Sequence, residues 1–126
     1  MGITAAGKAE VAGLMGNTGS PSAFTYLANG SGTTAFVKTQ TALVTENTAN
    51  GSARASATVS RTTTTDTNDT LSLVKQWTAT GAITINEVGV FNAASAGDML
   101  ARKVLDSTVT LADTDTWTWT HLIVVA

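Results

Sequence analysis

His121 and Glu87 are the residues whose types best suit acid–base chemistry in this chain of 126 residues. His121 is the single histidine, and with no cysteine present a nucleophilic dyad would need one of the many serines beside it. No Gly-x-Ser-x-Gly elbow presents such a serine. A histidine-based metal centre would require a second histidine. His121 lies in an apolar strand pattern on the face that carries Trp117 and Trp119, where its expected role is packing or interface contact. Glu87, between an apolar Ile85 and Val88, lacks a second carboxylate nearby in sequence. Its expected partner is Arg102 on the neighbouring strand, a structural ion pair rather than a general acid or base.

Other patterns fall short of the chemistry they approach. Gly2 to Ala9 matches the phosphate-binding loop except that Ala9 stands where Ser or Thr would ligate Mg²⁺, and no strand is expected before it. Asp66-Thr-Asn68 and Asp113-Thr-Asp115 resemble the start of a calcium loop. However, the twelfth positions are Trp77 and Val124 rather than Glu, and the mid-loop glycine is missing. Both read as acidic turns. Trp117 and Trp119 have the size to stack on sugars or bases, but aromatics alternating on one strand face are expected in a core. The sequons at Asn29, Asn50 and Asn68 are chance products of a chain in which 25 residues are Thr. No catalytic, cofactor-binding or metal-ligating residue is assigned.

The elements that must position these residues are mostly strands. Thr is β-branched and favours extended structure. Charged residues are 13%, about half the usual share. The clearest element is a hairpin from Ala82 to Leu105. Ile83 and Ile85 alternate with Thr84 and Asn86, and the small-residue run Asn92 to Asp98 turns the chain. Met99, Ala101, Lys103 and Leu105 then alternate with Leu100, Arg102 and Val104. A strand is expected over Ala23–Ala28, closed by Asn29-Gly30-Ser31-Gly32. A short apolar run, Ala35–Val37, leads into a long connection over Thr39–Gly51 with room for a short turn of helix. Further alternation runs from Ala53 to Ser60 and from Leu71 to Trp77, followed by separate strands over Thr108–Leu111 and Thr116–Val125. Ile3 to Met15 forms the one expected helix, capped by Thr4, with Val11, Leu14 and Met15 on one face. Gly7 and Gly13 make it marginal, so it persists only when docked.

About seven or eight antiparallel strands near ten residues apart predict an all-β, jelly-roll-like sandwich with a short N-terminal helix. The expected organisation is a helix and arm over residues 1–22 and a single β-sandwich over 23–126. The net charge is −2 and the longest basic run is Arg102-Lys103, so no nucleic-acid footprint is expected. No apolar run approaches the roughly 18 residues that span a bilayer, and the N-terminus lacks the apolar core of a signal peptide.

Glu87-Val-Gly-Val-Phe-Asn-Ala-Ala-Ser-Ala-Gly-Asp-Met-Leu-Ala-Arg102, followed by Asp115-Thr-Trp-Thr-Trp-Thr120, resembles a pattern in small structural proteins of tailed bacteriophages. Arg54-Ala-Ser-Ala-Thr-Val-Ser-Arg61 and Ala6-Gly-Lys8 share the likeness. It covers most of the chain, most fully from Ala53 onward, and its motifs are structural rather than catalytic. The resemblance implies a non-enzymatic virion protein of one of two kinds. The first is a head decoration (cement) protein that binds the major capsid protein and copies of itself at the capsid surface, after assembly in the host cytoplasm. The second is a tail or tail-fibre-associated module. The chain length, the low charge and the lack of a coiled-coil shaft favour the first. The N-terminal segment Met1–Met15 and the loops Gly16–Ser22 and Thr39–Gly51 are then the expected lattice contacts.

Overall fold

The computed structural model describes residues 2–125. The strands are β1 (Gly2–Ile3), β2 (Tyr26–Gly30), β3 (Ala55–Ser56), β4 (Thr58–Thr62), β5 (Thr70–Thr78), β6 (Ile83–Phe91), β7 (Met99–Leu111) and β8 (Thr116–Val124), with one helix, α1 (Ala5–Gly16). They form two antiparallel sheets, ordered β1-β7-β6-β2-β3 and β4-β5-β8. This is the all-β sandwich that the strand spacing predicts, with eight strands and a short helix.

The core lies between the sheets. Leu27, Val90 and Leu100 meet Leu73 and Trp77 there, with Phe24 closing one end. Neighbouring strand residues point to opposite faces, so Ala28 and Phe91 point away from this core. With Leu43 and Met99 they form a second cluster beneath the connection that spans residues 31–54. That connection covers the outer face of the five-stranded sheet. A third cluster of Ala79, Ile83, Ile85 and Leu111 fills the other end.

Several boundaries differ from the sequence reading. Asn29 and Gly30 are strand residues of β2 rather than a turn, paired with Val88 and Glu87. The alternation from Ala53 to Ser60 is not one strand. The chain leaves the first sheet after β3 and joins the second at β4, while the Ala57 N–H donates to the Thr25 carbonyl at 2.8 Å. Thr108–Leu111 is the end of the continuous β7, because Asp106 and Ser107 continue the extended chain instead of turning it. A register shift between Val90 and Phe91 pairs Val90 with Ala101 and Phe91 with Met99. Met99 and Arg102 therefore share the outer face, which strict alternation had placed on opposite sides. No helical turn occurs over residues 39–51, and Ala35–Val37 is irregular.

Thr4 caps the helix as expected, although Ile3, read as helical, is in β1: the Gly7 N–H donates to the Thr4 hydroxyl at 2.9 Å, and that hydroxyl donates to the Met99 carbonyl. Asn17, in the left-handed region at φ 48°, ends it. Its docking face is not the apolar one. Gly7 lies against the β7 backbone, where a Cβ would sit 2.6 Å from the Leu100 Cα. Val11, Leu14 and Met15 remain exposed, Met15 at 85%. The helix is held by its smallest residue, and its apolar residues are left over.

Candidate functional site

Glu87 on β6 and Arg102 on β7 are diagonal neighbours on the outer face of the first sheet, since Gly89 is opposite Arg102 and Glu87 opposite Val104. Arg102 Nε donates to Glu87 Oε2 at 2.6 Å, and both side chains are fully buried. This is the pairing read from the hairpin. The carboxylate also accepts three backbone N–H groups from the covering connection: Gly32 at 3.2 Å, Thr45 at 2.8 Å and Val44 at 3.1 Å. Arg102 Nη1 donates to the Thr34 carbonyl at 2.8 Å and to Gln40 Oε1 at 3.3 Å. A Cβ on Gly32 would lie 2.7 Å from Glu87 Oε1, so the close approach of this loop requires a glycine there. With its oxygens so engaged, Glu87 works as an anchor for the loop.

A second pair repeats the device nearer the surface. Arg54 Nη2 donates to Glu46 Oε1 at 2.7 Å, and Nη1 donates to the carbonyls of Ala93 at 3.1 Å and Ala96 at 2.8 Å. Its guanidinium lies 3.6 Å from the centroid of the Phe91 ring. It therefore joins the connection to the turn of the β6–β7 hairpin.

His121 is buried between the sheets, where Trp119 Nε1 donates to its Nδ1 at 3.1 Å. That bond uses the neutral tautomer with its proton on Nε2. Burial, and then nearby positive charge including Lys103, pushes its pKa down to about 4. The cavity beside it, between Lys103 and Leu122, is about 260 Å³, below the usual range for a small-molecule site. Trp77, Trp117 and Trp119 stack in sequence at centroid separations of 5.8 and 5.6 Å, with Trp77 fully in the core. Trp117 lies between the other two rings, and Trp117 and Trp119 are both half-buried.

The remaining sequence candidates lie apart. Gly2 and Ile3 are in β1, while Gly7 and Lys8 are inside the first turns of α1, so no phosphate loop forms. The acidic segments are turns. The Asp69 carboxylate accepts the N–H groups of Thr64, Thr65 and Asp66, bonds that hold its pKa far below the ordinary carboxylate range, and Asp115 accepts the Ala112 N–H. Among the described residues no group of three or more His, Cys, Asp or Glu is arranged to hold a metal ion. Asn29 is buried and donates to the Ser52 carbonyl at 3.2 Å, which removes that sequon from the surface. A polar hollow of about 530 Å³ between the connection and β6 is spanned by Asn47 and Asn50, whose amides donate to the Thr84 and Ala82 carbonyls.

A different feature lies at the opposite end of the molecule. Between α1 and the second sheet runs an open apolar groove of about 600 Å³, floored by Ile3, Phe24, Leu71 and Leu100. Val11 and Leu14 stand on its helical wall, and Val59, Val124 and Val125 on its strand wall. All five are exposed. Sequence reasoning placed contacts in the N-terminal segment but missed the strand wall. A signal was present: Thr116, Thr118 and Thr120 hold the outward positions of β8 until Leu122 and Val124 replace them with apolar side chains.

No protein-family model matches the chain, and no curated protein matches it.

Proposed function

We propose that this chain is a non-enzymatic structural protein of a tailed-bacteriophage particle, a head decoration (cement) protein that binds the major capsid protein lattice. The observation that carries this reading is the apolar groove, where a marginal helix leaves Val11 and Leu14 facing solvent opposite Val124 and Val125. Exposed apolar surface concentrated in one place marks an interaction site rather than a monomer surface. The hairpin residues from Glu87 to Arg102 and the alternating Trp-Thr strand add the phage likeness. In this reading the groove takes an apolar segment of the capsid subunit, and the loop Gly16–Ser22 borders the contact.

The mechanism is thermodynamic linkage. A protein that binds the expanded lattice and not its precursor shifts the equilibrium toward the expanded form. Many copies with modest contacts then add through multivalency. A rigid sandwich suits this role, because little ordering free energy is lost on binding.

The test is to purify particles from a lysate of the phage that encodes the chain, identify their proteins by mass spectrometry and image them. The expected result is many copies of the chain per particle, with density on the outer surface of the head lattice. Absence from the particles overturns the reading. Density confined to the tail overturns it in favour of a tail-associated module.

A further inference from the structure

The second sheet ends in β8, and the way this edge is built identifies a partner. Beyond one end of the β5–β8 ladder the Val125 N–H donates to the Asp69 carbonyl, and beyond the other the Ala79 N–H donates to the Asp115 carbonyl. Hydrogen-bonded pairs alternate along an antiparallel ladder. Trp117, Trp119, His121 and Ile123 therefore direct their backbone groups to β5. Thr116, Thr118, Thr120, Leu122 and Val124 direct theirs outward, where no other strand pairs with them among the described residues.

Exposed edges are normally guarded by charge, proline or a bulge. The opposite edge strand, β4, carries Arg61, while Lys103 of β7 lies on the inner side of β8, lining the hollow beside Trp119, His121 and Leu122. β8 has none of these. Its nine residues contain no Lys, Arg, Asp, Glu or Pro, and its pairing with β5 runs from Thr70↔Val124 to Thr78↔Thr116 without a register shift. The outward face of the same sheet (Thr58, Ser60, Ser72, Gln76, Thr116 and Thr118 among its residues) is also uncharged, so a second copy alongside meets no repulsion from it.

We propose that β8 pairs with β8 of a second copy of this chain, antiparallel about a two-fold axis at Thr120. Identical strands related by a two-fold form a self-complementary interface. In this register Thr120 is opposite itself, Thr118 is opposite Leu122, and Thr116 is opposite Val124, so every outward N–H and C=O finds a partner. On the inner face Trp119 meets His121 and Trp117 meets Ile123, aromatic pairs of the kind that stabilise sheets. The three-stranded sheets of two copies become one continuous sheet. The pairing specifies the self-contact of the particle protein proposed above. It is measured without any capsid, so the two readings fail separately.

The test is sedimentation velocity of the full chain, wild type and variants. The wild type is expected at twice its 12.8 kDa mass. Thr120→Lys places two ammonium groups face to face across the axis and weakens the dimer by about tenfold or more, equivalent to about 1.4 kcal/mol. Thr62→Lys on the far edge leaves it unchanged. Since the chain has no cysteine of its own, Thr120→Cys under mild oxidation gives a disulfide-linked dimer, the paired Cα atoms lying within disulfide reach. The proposal is overturned by a monomer at every concentration up to the solubility limit. It is also overturned by a dimer that persists in Thr120→Lys, or by one that Thr120→Cys does not cross-link.

Discussion

The two sheets of this sandwich treat their outer faces in opposite ways. The five-stranded sheet hides its outer face under the chain's own residues 31–54 and buries charge there, with Glu87 and Arg102 inside and Glu46 and Arg54 near the rim. The three-stranded sheet leaves its outer face open and uncharged and exposes Leu122 and Val124 there, with Val59 exposed on its edge strand and Val125 beyond its end. One side is finished by intramolecular contacts. The other leaves apolar side chains exposed to solvent. In the proposed reading this difference separates scaffold from interface: the hairpin residues stabilise the fold, and the plainer residues opposite meet the partner.

The comparison breaks most readily at the buried pair. Glu87→Gln leaves Arg102 as an uncompensated buried cation, and removing one partner of such a pair costs about 3–5 kcal/mol. Chemical denaturation is expected to show that loss, with Glu87→Gln/Arg102→Met recovering much of it. A loss below about 1 kcal/mol would mean that the connection is held by other contacts.

Acid should act on the seam between the sheets. His121 has a folded-state pKa of about 4 against an ordinary value of 6.5, so the unfolded chain takes up the proton first. Stability is then level above about pH 6.5 and falls as the pH drops toward 4, by at most about 1.4 kcal/mol per pH unit. Below about 4 this contribution is spent, and the carboxylates take over, Asp69 among them. Its folded-state pKa is lowered, so its contribution is present above the ordinary value of 3.8 and is lost as the pH falls through the acid range. Unfolding midpoints from pH 8 to 3 for wild type and His121→Gln check this; the variant should lose the slope between 6.5 and 4.

Arg54→Ala should cost less, about 2 kcal/mol, because the carboxylate it leaves behind, Glu46, is partly exposed to water while the bonds to Glu46 and two carbonyls are lost together. Hydrogen exchange should then quicken in the Asn92–Asp98 turn and in residues 46–54 while β5 and β8 keep their protection. Faster exchange throughout would indicate that Arg54 supports the whole sandwich rather than this one junction.

Where the sequence could be read, the cause is local. The β6–β7 hairpin shows period-2 alternation around a turn of small residues, and a carboxylate and a guanidinium inside it had to find each other. The Trp-Thr alternation of β8 placed Trp117, Trp119, His121 and Ile123 on one face for the same reason. The connection over 31–54 was illegible because its shape depends on distant groups: Gly32, Val44 and Thr45 are held by a carboxylate that lies 42 to 55 residues away. The frame of β2 was missed because Asn29 and Gly30 are ordinary turn residues; here Gly30 lets the Thr45 carbonyl cross close above it, and the Asn29 amide is buried against Ser52 and Asn47. The helix illustrates a third kind of failure. Its apolar residues have the spacing of a docked face, but Gly7 allows the closer approach to β7, and that contact decides the orientation.

In the proposed function the groove between α1 and the second sheet binds the capsid lattice and contributes little to the fold. Val11→Ser/Leu14→Ser replaces two exposed groove residues, and each surface change alters stability by about 0.5 kcal/mol or less. The direct measurement is co-sedimentation of this variant with phage heads stripped of the chain, beside its denaturation curve. The account predicts an unfolding midpoint close to wild type and occupancy reduced by about tenfold or more, the effect of losing about 1.4 kcal/mol per site. A variant that is as stable as wild type and decorates the heads as fully would contradict it.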